Sequence, residues 1–188
     1  YKPKEQRRSS PSAPSLVCGL SDPDSSSIVG STGWHLPSNW TYQLNLSSVP
    51  ASVGQSNLAT ISYLSFANWQ NASNGKINFT IGSDTSVSRK GLDGKNIIAW
   101  GRTSGSVLGV TYTWYYPSTG LVAETDTILN KKFSWSWSGN NNGCADSNSY
   151  DAQDILTHEL GHWMGLDDEY TSNFIDNTMY GYGSKGEI

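Results

Sequence analysis

Charge is scarce in this 188-residue sequence: Asp, Glu, Lys and Arg make up 15% of it, with twelve basic residues against sixteen acidic ones. Four of the basic residues and one acid fall in the opening YKPKEQRR, so from Ser9 onward the acids hold a surplus of seven. No basic stripe with interleaved aromatics remains, which excludes a nucleic-acid partner. The basic start reads as a solvated tail or a processing site. Long apolar runs are also missing. None approaches the roughly 18 residues needed to cross a bilayer, so no membrane partner is expected. There is no charged-then-apolar leader and no initiating methionine, and the chain reads as a mature or trimmed product. Two cysteines exclude a disulfide-dense scaffold and allow one bridge. Only three histidines are present, at His35, His158 and His162, so a three-histidine metal site would need His35 to come in from the N-terminal side.

Against these absences stand 36% apolar residues and eight tryptophans, enough for one globular domain with a sizeable core. The richness in Ser, Asn, Gly, Trp and Tyr is that of a secreted protein. Four N-x-Ser/Thr sequons, at Asn39, Asn45, Asn71 and Asn78, permit an extracellular location.

Residues 1–33 are rich in Ser, Pro and Gly without usable periodicity, and read as an N-terminal arm or pro-segment. A second unit is expected over 34–188. Alternating apolar positions in WTYQLNL (40–46) predict its first strand. The period then changes: Leu58, Ile61, Leu64, Phe66 and Trp69 mark one face of a helix within 51–70, with Gly75 beyond its end. Further strands are predicted over 76–81, 96–100, 107–115 and 121–129, separated by Gly, Ser and Asp clusters. A second helix should begin near Tyr150 and Asp151, with Asp151 as its cap, and end near Gly165. No internal repeat is present. This order predicts an α+β fold, an α/β sandwich built on one twisted sheet.

The chemistry concentrates in THELGHWMGLDDEY, from Thr157 to Tyr170. Helical positions i and i+4 share a face, so His158 and His162 can present two imidazoles to one ion, with Glu159 beside it. A catalytic Zn²⁺ needs three protein ligands and one position left for water. Gly165 is the natural end of the helix, because glycine accepts the left-handed conformation of a helix terminus, and Asp168 follows three residues on. Asp168 is the simplest third ligand; Asp167 and Glu169 are its near rivals, and His35 lies far off in sequence. In such a site the metal acidifies a water, and Glu159 takes its proton as general base and returns it to the leaving amine.

These residues, in the pattern HExxHxxGxxD, resemble the signature of the metzincin metallopeptidases, and the final Asp resembles their snapalysin-like members. NTMYGYG, with Met179 eleven residues beyond Asp168, resembles the family's methionine turn, where the methionine supports the site without being a ligand. SYDAQDILTHELGHWMGL is similar to the active-site helix of matrixin-like members, WTYQLNL to their first strand, and GLVAETDTILNKKFSW to the edge strand that holds a peptide substrate. The resemblance covers roughly 34–183 in pieces and is specific only from Ser149 to Gly181. It implies a mostly parallel sheet with an antiparallel edge strand, a backing helix and an active-site helix. It also implies a secreted zinc endopeptidase acting on protein or peptide substrates bound in extended form. The histidines that hold a matrixin's second, structural zinc are lacking. Calcium is a candidate for the Asp- and Gly-containing loops, none of them distinctive. The sequence given runs to Ile188, nine residues after Met179, so the family's C-terminal helix is expected to be absent or cut away.

VCGLSDPD, from Val17 to Asp24, carries two readings. It is similar to the cysteine switch of matrixin pro-segments, with Val17 in place of the usual arginine; Cys18 would then hold a latent zymogen. The other reading is a disulfide from Cys18 to Cys144. A competing function from a different class is a non-catalytic surface- or carbohydrate-binding module, for which the many Trp, Tyr and Asn residues would serve. Glu159 speaks for the enzyme, since a binding module needs no base there. Tyr180 and Tyr182 are candidates for lining a specificity pocket, and for plain packing equally.

Overall fold

A computed structural model describes residues 1–4, 15–20 and 30–188. Two short strands open the chain, β1 (Lys2–Pro3) and β2 (Leu16–Val17), followed by β3 (Asn39–Leu44), α1 (Asn57–Ala72), β4 (Asn78–Ile81) and β5 (Ile97–Gly101). Then come β6 (Gly109–Tyr115), β7 (Val122–Asn130), β8 (Trp135–Ser136), β9 (Ala145–Asp146), β10 (Tyr150–Asp151), α2 (Ala152–Trp163) and β11 (Tyr182–Gly183). The main sheet has five strands in the order β4-β3-β5-β7-β6. All neighbours run parallel except β6, which pairs antiparallel with β7 at the edge.

Period-two patterning places the core. Trp40, Tyr42 and Leu44 alternate inward along β3, towards Leu58, Ile61 and Phe66 of α1 and Ile155, Leu156, Leu160 and Trp163 of α2. Both helices therefore cover one face. On the other, Ile97, Ala99 and Ile128 pack with Val87, Val110 and Tyr112. β3 stops at Leu44, short of the expected Leu46, because the Asn45 side chain accepts the Ser48 amide (3.1 Å) and turns the chain. α1 starts at Asn57 rather than 51, because Pro50–Gly54 first form a turn in which the Val53 and Gly54 amides donate to the Pro50 carbonyl.

The sequence 120–135 is not the edge strand. β7 lies inside the sheet, paired on both sides, and the edge is β6. The acids that give β7 a solvent-facing look are buried. Glu124 accepts the Asp93 amide (2.9 Å) and Asp126 those of Gly91 (3.0 Å) and Ile97 (3.3 Å), so backbone donors of the 91–97 loop replace water. The acids beside this Asp- and Gly-containing loop are thus already occupied by amides.

The opening residues are not a solvated tail. β1 pairs in parallel with β11, and the Tyr1 side chain is only 7% exposed. The rest of the basic stretch, from Glu5 to Arg8, lies outside the described residues. Cys18 is bonded to Cys144, tying the arm to the loop before α2, where β2 pairs with β9. That bridge leaves no thiolate for the site, and the cysteine-switch reading is set aside. No helix among the described residues is long and apolar enough to cross a membrane. Of the four sequons, Asn39, Asn71 and Asn78 are exposed, whereas Asn45 is buried with its amide donated to the Val87 carbonyl.

Candidate metal centre

Asp151 starts the motif helix as expected: its carboxylate accepts the amides of Gln153 (2.8 Å) and Asp154 (3.1 Å). The helix ends in a Schellman turn. The Leu166 amide reaches back to the Gly161 carbonyl and that of Gly165 to His162, with Gly165 at φ +83°. A side chain at Gly165 would also strike the Trp34 carbonyl. This turn reverses the chain and carries Asp168 back over the helix.

There His158, His162 and Asp168 converge, and their ligating atoms lie within 4.8 Å of one another. Asp168 Oδ1 stands 3.0 Å from His158 Nε2 and 3.5 Å from His162 Nε2. Each imidazole is oriented from behind. His158 Nδ1 donates to the Thr178 carbonyl (2.8 Å) and His162 Nδ1 to that of Leu166 (2.9 Å). A carbonyl can only accept, so the hydrogen sits on Nδ1 and each Nε2 presents its lone pair. His158 Nε2 and Asp168 Oδ1 are then two buried acceptors facing each other without a hydrogen-bond partner. A cation between them resolves that conflict, and among the described residues this group has the composition and spacing to hold one. The chain's other candidate ligands do not join it: His35 is exposed beside Leu121, and Asp167 and Glu169 are outside the group.

Electrostatics agree with the geometry. Burial raises the Asp168 carboxyl, but the two imidazoles beside it outweigh this and hold it well below the usual carboxylate range. Burial lowers His158; in His162 the same effect is overcome by Asp168 and Glu159, which raise it. Glu159 is fully buried. Burial alone would raise its pKa, yet the Tyr1 ammonium, both imidazoles and the Thr111 hydroxyl together lower it.

Several contributors had no signature in the sequence. Thr111, on β6, donates to Glu159 Oε2 (2.8 Å) and aims the carboxylate. Gly109 lets that strand cross the carboxylate, since any Cβ there would collide with it. The Tyr170 hydroxyl donates to Asp168 Oδ2 (2.9 Å), leaving Oδ1 to face the imidazoles. Met179 is buried where a side chain on Gly161 would otherwise go. Tyr182 lines a cavity of about 510 Å³ beside α2, with Asp154, Thr157 and Asn177.

None of the eight tryptophans is exposed; Trp40, Trp100, Trp135 and Trp163 are buried in the core. Their number thus reflects packing rather than an open stacking surface. Neither a scan against protein-family models nor a search of curated proteins finds a match for this chain.

Proposed function

We propose that this chain is a secreted, zinc-dependent endopeptidase of metzincin type, with His158, His162 and Asp168 as the metal ligands and Glu159 as the general base. The observation that carries the reading is the pair of orphaned acceptors, His158 Nε2 and Asp168 Oδ1, directly beside a buried glutamate. Ligands bound tetrahedrally at about 2.0–2.1 Å stand about 3.3 Å apart, which suits zinc; the two oxygen-to-nitrogen separations here are 3.0 and 3.5 Å. The bound ion would supply Lewis acidity, polarising a carbonyl and acidifying a water.

The remaining work falls to the protein. Thr111 holds Oε2 of Glu159, so Oε1, the oxygen turned towards the Tyr1 nitrogen, is the one that would take a proton. Glu159 Oε1 lies 3.3 Å from the Tyr1 nitrogen, where a leaving amine would receive that proton. The Leu108 amide and Gly109 carbonyl, which hold the Tyr1 backbone here, suit a peptide held by main-chain hydrogen bonds. The disulfide accords with an oxidising, extracellular setting.

Metal analysis of purified protein should find one zinc per chain. Cleavage of a quenched peptide library should disappear on chelation and return with zinc. Glu159→Ala should keep the metal while losing roughly three or more orders of magnitude in kcat. Full activity after chelation, or an unimpaired Glu159→Ala, would end the proposal.

A further inference from the structure

Two strands and the motif helix meet in a buried chain of hydrogen bonds in which His158, His162 and Asp168 take no part. Glu159 and Trp163 stand four residues apart and share a face of α2. Facing them, Thr111 of β6 and Thr127 of β7 lie directly opposite each other in the sheet. The Trp163 indole nitrogen donates to the Thr127 hydroxyl (2.8 Å), and the two threonine hydroxyls are 2.8 Å apart. Thr111 in turn reaches Glu159 Oε2 (2.8 Å) and the Glu159 carbonyl (3.1 Å). Trp163, Thr127 and Glu159 are all closed to solvent, at 0% exposure. Strand register alone does not make such a chain. The next pair on the same face is Thr113 opposite Thr125, and the Thr113 hydroxyl has no hydrogen-bond partner among the described residues.

Counting hydrogens fixes the direction. An indole N–H can only donate, so it occupies an acceptor site of the Thr127 oxygen and leaves that hydroxyl's own hydrogen to be placed. Among the described residues its partner is the Thr111 oxygen. Thr111 then has its single hydrogen for Glu159, where Oε2 is both nearer than the carbonyl and charged, and so makes the stronger bond. The reverse order would leave the Thr127 hydrogen unplaced and would strip a buried carboxylate of its hydroxyl donor. The Phe66 ring, edge-on at 5.4 Å between centroids, packs against Trp163 and supports the indole that starts the chain.

We propose that Trp163 and Thr127 are positioning residues for Glu159. Acting through Thr111, they set the direction of its hydroxyl and hold Oε2 as a fixed acceptor, so that Oε1 is the oxygen left for a proton. This inference rests on the endopeptidase reading for what Glu159 does, but not for the bonds themselves.

Neutron diffraction from a deuterium-exchanged crystal of the full chain reads the direction without any turnover. The Thr127 deuteron should point at Thr111, and the Thr111 deuteron at Glu159 Oε2. A Thr111 deuteron pointing at Thr127 overturns the proposal. Kinetics on a quenched peptide that the parent cleaves then read the consequence. Trp163→Phe removes the donor that starts the chain, and Thr127→Val removes the hydroxyl that passes it on at nearly constant size. Each should lower kcat roughly tenfold while KM and zinc content stay at the parent's values. Thr127→Ser keeps the hydroxyl and loses only the methyl group, and its kcat should lie within roughly twofold of the parent's. Because Thr127 acts through Thr111, adding Thr127→Val to Thr111→Val should cost nothing further, whereas independent packing effects would multiply. Thermal melts accompany every variant, and the Thr127 pair decides if Trp163→Phe does not fold. An undiminished kcat in Thr127→Val, an equal loss in Thr127→Ser, or multiplying losses in the double variant overturn the proposal and leave the endopeptidase reading in place. The expected deuterons in a parent without chelator-sensitive cleavage refute that reading, and the chain of bonds then only locks Glu159 between helix and sheet.

Discussion

At the scale of single residues, the candidate metal site depends on how each side chain is aimed. Tyr170 holds one oxygen of Asp168 so that the other faces both imidazoles. Losing such a support costs metal affinity rather than fold: Tyr170→Phe should weaken zinc retention roughly 10- to 100-fold in a chelator competition. Its circular dichroism should stay unchanged. An unaltered zinc affinity would mean that the hydroxyl plays no part in orienting Asp168.

At the scale of elements, the motif helix α2 is defined by its two ends. Asp151 occupies its first amides, and the Gly165 turn delivers Asp168 to the histidines. Gly165→Ala forces a Cβ into a left-handed conformation and against the Trp34 carbonyl. Urea unfolding should show a loss of at least about 1 kcal/mol, accompanied by a lower zinc content, because the third ligand follows the turn. A stable variant with full zinc would refute this coupling. How well the elements could be read from sequence varied for physical reasons. The motif helix was legible because cap, spacing and terminal glycine are all local. The edge strand was misassigned to 120–135 because Glu124 and Asp126 are charged, and their amide partners lie some thirty residues away in sequence.

For the whole molecule, two features set stability. Burial, with Glu124 and Asp93 nearby, pushes Asp126 up from 3.8 to about 6 despite two amide donors. Between about pH 4 and 6 the folded chain keeps a proton that the unfolded chain has lost, so stability should fall as pH rises through that window, by up to about 3 kcal/mol. Asp126→Asn should remove this contribution, and denaturant unfolding across the range tests it; an unchanged slope would exclude Asp126 as its source. The Cys18–Cys144 bridge spans 126 residues. Closing so long a loop restricts the unfolded chain, so reduction should cost about 2–5 kcal/mol in thermal or chemical unfolding and release the 15–20 arm. A reduced protein of equal stability would contradict that.

By itself the sequence brought forward His158, His162 and Asp168 as a group that could hold a metal, Glu159 beside them, the helix that carries the histidines and the α+β class, since each rests on spacing within a few residues. Only the tertiary structure decided which strand forms the edge, which residues orient the ligands from behind, and which of two chemistries Cys18 follows. It also brought Tyr1 to Glu159 across 158 positions, turning an apparent tail into an occupant of the cleft. Contacts made by folding distant segments together leave no periodicity in the chain, so no local pattern could announce them.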